Sequence, residues 1–306
     1  MPIHHSHATS ITDVASRSLE LFCDRIEARA TFARYANALR PIERILFFHG
    51  DGGNGKSLLL RKLKADYCRQ LPDADRWPDL LDEARWSRLP ADSKRRELES
   101  FDAALKATGA WPLDSAFLDF GGPARSLEDL RDPVSAMGEL RRQLGVRGFK
   151  FPLFDYAMVL CLHKNGRLTK GKLQEIFGSI RLDVITQIAE TLSELPLISV
   201  VPKLLNLATK LSFGKDLDTE FTKWTARRNL DDGVAQRLAC MDGASELPLE
   251  LPRLLAEDLN LFQREDKTPH RRVVLFFDTH EAFWGQVGRS EGRARSVSMT
   301  LQHLAS

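Results

Sequence analysis

The sequence predicts an α/β fold in which a mostly parallel sheet is flanked by helices and carries a large helical insertion. Three observations carry that expectation. An apolar run at 45–48, Ile-Leu-Phe-Phe, leads into Gly50-Asp51-Gly52-Gly53-Asn54-Gly55-Lys56-Ser57 and then into the helix-forming LLLRKLK. A second short run, AFLDF at 116–120, closes on Gly121-Gly122-Pro123, and a third, VVLFF at 273–277, closes on Asp278. Short apolar runs ended by turn residues and separated by helical periodicity are the pattern of strands buried on both faces.

Residues 50–57 fit GxxxxGK[ST] at every fixed position, which is the P-loop pattern. A buried strand, a glycine-rich turn and a helix beginning near Gly55 would aim backbone N–H groups and the positive end of a helix dipole at one spot, where a polyphosphate fits. Gly50, Gly52, Gly53 and Gly55 permit positive φ and let the backbone come close to phosphate, with Asp51 and Asn54 completing the loop. Lys56 is expected to reach the β and γ phosphates, and the Ser57 hydroxyl to be a ligand of Mg²⁺. The implied ligands are therefore ATP and Mg²⁺. GTP fits less well, because no [NT]KxD segment follows the loop and the acidic strand continues as DTHE.

Composition sets the frame. With 306 residues, 43% of them hydrophobic and 28% charged, the chain is long enough for a nucleotide-binding core plus a second module. A formal net charge of +2 gives no general argument for nucleic-acid binding. The four cysteines, Cys23, Cys68, Cys161 and Cys240, share no metal-binding spacing and read as reduced, buried thiols of a cytoplasmic protein. MPIHHSHATS lacks the features of a signal peptide, and no apolar stretch approaches the roughly 20 residues of a membrane span.

Along the chain, residues 1–40 form a lead-in with an amphipathic helix over 16–40, and residues 41–150 carry the first part of the core. The P-loop helix ends near Gln70, and the charged, tryptophan-containing stretch from 71 to 112 suggests helices without placing them. Asp132-Pro133 is an N-cap with proline at the first helical position, and Val134, Met137, Leu140 and Leu144 repeat at helical spacing up to Gly145. Residues 151–260 are a helical insertion or accessory region. Within it an apolar stripe runs over 173–192, and residues 195–213 read as a buried helix or one that meets a membrane or partner. Arg141, Arg142, Arg147 and Lys150 form a basic cluster that is either a solvated helix face or a contact for a phosphate backbone.

Residues 261–306 hold the rest of the core. Asp278, at the carboxyl end of a core strand, is placed to hold Mg²⁺ through its water shell, and Glu281 to orient or deprotonate the attacking water. Glu281 has a second reading as the first-turn acid of the following helix. His280, between them, reads as a turn residue or a γ-phosphate sensor.

These segments together, FFHGDGGNGKSLL, LFFDTHEAF, Phe22-Cys23-Asp24-Arg25, DPVSAMGELRRQLG and FPLFDYA, resemble the ATPase module of bacterial STAND proteins, the signal-transducing relatives of AAA+ ATPases. The resemblance implies that Phe22, Asp24 and Arg25 match an F-x-[GD]-R segment near the adenine. It also implies a switch that exchanges ADP for ATP, with homo-oligomerisation on activation and sensor or repeat domains carboxyl-terminal to the module. Two departures accompany it. The stretch from Lys56 to Asp278 is far longer than a βαβαβ core needs, and RSEGRARSVSMTLQHLAS offers no further strand, so the core is expected to be truncated. With no assignable arginine finger or sensor, turnover by the chain alone is expected to be slow. The rival functions are a P-loop small-molecule kinase and a DNA-handling ATPase.

Overall fold

The computed structural model describes residues 25–38, 45–48, 55–107, 109–120, 132–177, 233–265 and 272–278. The chain divides into two compact units, Met1–Ser115 and Ala116–Ser306.

In the first unit, helix α1 (Ile26–Asn37) buries Ala30, Phe32, Ala33 and Ala36 together with Arg29 and Asn37. The expected lead-in helix is there, but Tyr35 and Ile26 are only half-buried. Residues 45–48 carry no assigned strand. Ile45 and Phe47 are 59% and 54% exposed while Leu46 and Phe48 are half-buried, a period-two alternation where the sequence predicts burial on both faces.

Helix α2 (Lys56–Lys62) passes directly into a π-helical turn, Leu63–Tyr67, so one helical segment runs from Lys56 to Tyr67. Leu59, Leu63 and Tyr67, all at most 1% exposed, fasten its inner side. Strand β1 (Arg69–Gln70) pairs antiparallel with β2 (Trp111–Pro112). Between them lie α3 (Pro78–Leu81), α4 (Glu83–Arg88) and α5 (Ala91–Lys106). Asp82 caps α4 by accepting from the amides of Ala84 (2.8 Å) and Arg85 (3.0 Å), satisfying N–H groups that the first turn leaves without helical partners. Leu98, Phe101 and Leu105 form the inward stripe of α5, with Trp77 edge-on to Phe101 at 5.5 Å.

The second unit is built on strand β3 (Asp114–Asp119), which starts just before the boundary, and strand β4 (Val273–Asp278), its neighbour in a two-stranded sheet. The Phe120 amide donates to the Asp278 carbonyl at 3.1 Å, and Phe117 stacks on Phe276 at 5.9 Å. Both pairs advance in the same sense, so the strands run parallel with their carboxyl ends side by side. Gln143 exchanges two 2.8 Å hydrogen bonds with the backbone of Phe117, taking the place of a neighbouring strand at that residue. Among the described residues the sheets are these two pairs; the larger parallel sheet that the sequence predicts is not assigned.

Helix α6 (Pro133–Gly145) has the bounds the sequence predicts, with the Asp132 side chain accepting from the Val134 amide (3.4 Å) and the Ser135 hydroxyl (3.1 Å). Helix α7 (Pro152–Lys164) is buried from Pro152 to Leu162. It packs against α10 (Leu247–Glu265), whose Asp258 carboxylate accepts from the Phe154 amide at 2.9 Å and so serves the first turn of α7. Helix α8 (Lys170–Phe177) packs on α6 through Leu173, Ile176 and Phe177. Helix α9 (Gly233–Cys240) contributes Leu238, and Lys164 at the end of α7 donates to its carbonyl at Ala239 (2.6 Å). The described helices of 151–260 thus share one core with β3, β4 and α6. The rest of the stripe at 178–192 and the segment 195–213 lie outside the described residues.

The basic-cluster reading is corrected at one of its four residues, while Arg147 and Lys150 are exposed. Arg141 is neither on a solvated face nor available to a phosphate backbone. It is 4% exposed, it donates through two nitrogens to Asp155 at 2.8 Å each, and its guanidinium lies 4.8 Å from the Phe177 ring and 5.8 Å from that of Phe151. Arg142, its neighbour, is half-buried and pairs with Glu139 on the same helix at 2.5 Å. The cysteine reading is corrected in part: Cys68 and Cys161 are buried, but Cys240 is exposed.

Two predictions follow from this packing. Removing one partner of a fully buried ion pair strands the other charge, so Asp155→Ala should cost about 3–5 kcal/mol in urea unfolding, against about 1 kcal/mol or less for Arg142→Ala; a loss below about 1 kcal/mol for Asp155→Ala would show that the pair is dispensable. Burial, opposed by a Ser115 hydrogen bond and the Lys64 charge, pushes the Cys68 thiol up to about 12, and burial with the Asp132 charge pushes Cys161 up to about 11. Neither forms thiolate at neutral pH, so brief alkylation at pH 8 followed by peptide mapping should label Cys240 ahead of both.

Candidate nucleotide-binding site

The site is best described from the start of α2. Gly55 occupies the N-cap position at φ 70, ψ 24, a left-handed conformation that costs glycine nothing and an L side chain roughly 1–2 kcal/mol. Its carbonyl accepts the first helical hydrogen bond, from the Leu59 amide at 2.9 Å. Lys56 and Ser57 form the first turn and are half-buried. That turn holds no acidic side chain, while Arg61 and Lys62 stand in the last turn, so the charges along α2 leave its amino end favourable to an anion. Gly50, Asp51, Gly52, Gly53 and Asn54 lie outside the described residues.

Arg25 belongs to the same unit and starts α1. It too is left-handed, at φ 75, ψ 42, the one non-glycine residue with positive φ among the described residues. Its carbonyl accepts from the Arg29 amide at 3.0 Å. For arginine this conformation is strained by roughly 1–2 kcal/mol.

Beside it is a cluster that sequence reasoning missed. The Arg29 Nε donates to the Tyr67 hydroxyl at 2.8 Å, another guanidinium nitrogen pairs with Asp102, and the Tyr67 hydroxyl donates to the same carboxylate. Arg29 is 7% and Tyr67 1% exposed. Burial first, then the hydrogen bond to Asp102 and its charge, push the Tyr67 phenol far above its ordinary value, so it remains a donor throughout the physiological range. Glu27, two residues before Arg29, accepts from Trp86 Nε1 at 2.7 Å and Lys94 Nζ at 2.8 Å. Burial raises the Glu27 carboxyl, but these two hydrogen bonds and the Lys94 and Arg34 charges outweigh it and hold the group below its usual range. Sequence separations of 38 and 73 residues within the Arg29 cluster leave no local signal by which these partners could be paired.

Asp278 belongs to the second unit. It ends β4, is 4% exposed, and its carbonyl holds the Phe120 amide. Thr279, His280 and Glu281 lie outside the described residues. Of the residues named for nucleotide, Arg25, Gly55, Lys56 and Ser57 lie in the first unit and Asp278 in the second.

Among the described residues no group of three or more His, Cys, Asp or Glu is placed to hold a metal ion. A Mg²⁺ of the kind the P-loop implies does not need one, since it keeps several waters and takes its remaining ligands from phosphate oxygens and one or two side chains. Ser57, in the first turn of α2, offers a hydroxyl of that donor type. Among the described residues no helix is long and apolar enough to cross a membrane. Comparisons of the chain with protein-family models, with curated proteins and with solved structures return no match.

Proposed function

We propose that the chain binds ATP with Mg²⁺ through its P-loop and acts as a regulatory ATPase, a nucleotide switch of the kind the STAND resemblance implies. One observation carries the reading: the glycine of GKS sits left-handed at the very start of a helix whose first turn is Lys56 and Ser57, within a sequence that matches the P-loop at every fixed position. In this reading the loop amides of 50–55 and the Lys56 ammonium bind the phosphates, Ser57 and Asp278 hold Mg²⁺, and Arg25 contacts the base. Glu281 takes the proton of the attacking water. The cation supplies electrostatic stabilisation of the phosphoryl oxygens when bound.

The switch reading extends to a cytoplasmic location, a homo-oligomer formed on activation, and a further sensor or repeat domain. The small-molecule kinase shares the same phosphate-binding residues and differs in its product. Incubation with γ-labelled ATP separates the two, because an ATPase releases inorganic phosphate whereas a kinase transfers the label to an acceptor. The DNA-handling alternative loses one residue of its basic cluster, since Arg141 is held by Asp155.

Lys56→Ala should raise the Kd of a fluorescent ATP analogue at least about a hundredfold, the scale of a lost charged contact, with the unfolding midpoint unchanged. Binding like that of the wild type would remove the P-loop assignment. Glu281→Gln should keep nucleotide binding and slow hydrolysis about a hundred- to ten-thousand-fold, the usual span of a general base. If Asp278→Asn abolishes Mg²⁺-dependent binding while Glu281→Gln leaves the rate unchanged, Glu281 is the first-turn acid of a helix.

A further inference from the structure

The strain at Arg25 needs a cause. A left-handed arginine persists only where its surroundings over-determine it, and such positions gather at sites that bind or react. Here the constraint is visible one turn further on. Glu27 is held by Trp86 of α4 and Lys94 of α5, and Arg29 by Tyr67 of the π turn and Asp102 of α5. The first turn of α1 cannot rotate or slide without breaking these bonds, three of which involve buried or half-buried groups.

The far end of the same linkage is the phosphate-binding helix itself. Tyr67 closes the helical segment that Lys56 opens, and Leu59 and Leu63 lock that segment's inner side. We propose that Arg29, Tyr67 and Asp102 are positioning residues for nucleotide: they tie the start of α1, and so Arg25, to the helix that carries Lys56 and Ser57. The base contact and the phosphate contacts then form one preorganised site. This inference rests on the reading of residues 50–57 as a nucleotide site.

The chemistry explains why a guanidinium–phenol–carboxylate cluster suits the task. The planar guanidinium of Arg29 bonds two partners in fixed directions, so it fixes orientation where an apolar contact would allow sliding. In the proposed reading Arg25 contacts the base, and a planar guanidinium is suited to stacking on a purine. A ligand that consists of phosphates alone does not use that end of the site.

The test compares MgATP with inorganic tripolyphosphate in Mg²⁺, by calorimetry on the full chain. Tyr67→Phe keeps the ring in its buried seat and deletes the hydroxyl; Asp102→Asn keeps the shape and removes the charge. Each should weaken MgATP roughly tenfold, the scale of a hydrogen bond to a charged group, and leave tripolyphosphate unchanged. In an Arg25→Ala background Tyr67→Phe should cause no further loss of ATP affinity, because the residue being positioned is gone. Equal weakening of both ligands, or additive losses with Arg25→Ala, would overturn the positioning role while leaving the nucleotide site intact. A wild-type chain that binds neither ligand would overturn the nucleotide reading and this inference with it.

Discussion

A guanidinium taken out of water must be paired, and each unit of this chain is organised around one that is. In the first, Arg29 reaches from α1 to Tyr67 and Asp102; in the second, Arg141 reaches from α6 to Asp155 on α7, between the rings of Phe151 and Phe177. Desolvating such a charge costs several kcal/mol unless its partners meet it in good geometry. That requirement adds a directional constraint to the apolar packing of the helices. Leucines tolerate sliding, but a two-nitrogen bond at 2.8 Å does not.

Around these pairs the helices are placed by polar groups that reach across long stretches of chain. Asp258 serves the amino end of α7, Lys164 the carboxyl end of α9, and Gln143 the backbone of β3. Gly55 and Arg25 are the counterpart in the first unit. Both helix starts are left-handed, one where glycine makes this free and one where the clamp on α1 sustains it. The two positions belong to the segments that the sequence marks for nucleotide.

What was legible in the sequence was local. Asp132, Pro133 and Gly145 bound α6 because capping and termination act within a turn of the residues that cause them. The runs at 116–120 and 273–277 announce β3 and β4 because strand propensity and turn residues coincide. Within 71–112, α3 and α4 were not legible, since helices of four and six residues are too short for periodicity, whereas the sixteen-residue α5 carries its stripe at Leu98, Phe101 and Leu105. Helix α7 is buried on every side from Pro152 to Leu162, so it has no stripe to read. Arg141 was misplaced because an arginine in a helix is ordinarily solvated, and nothing near it in sequence announces that Asp155 will face it. Of the candidate site, the sequence names the string 50–57, of which Gly55, Lys56 and Ser57 are described, whereas the Arg29 cluster depends on contacts no local pattern encodes.

The central claim is that the start of α1 and the start of α2 form one nucleotide site. Hydrogen exchange with and without MgATP tests it most directly, because it reads backbone amides segment by segment. The account predicts slower exchange in two peptides together: the one spanning Gly50 to Leu60, and the one spanning the first turn of α1 from Arg25. Protection confined to other parts of the chain, or no change in the peptide that contains Lys56 and Ser57, would contradict it.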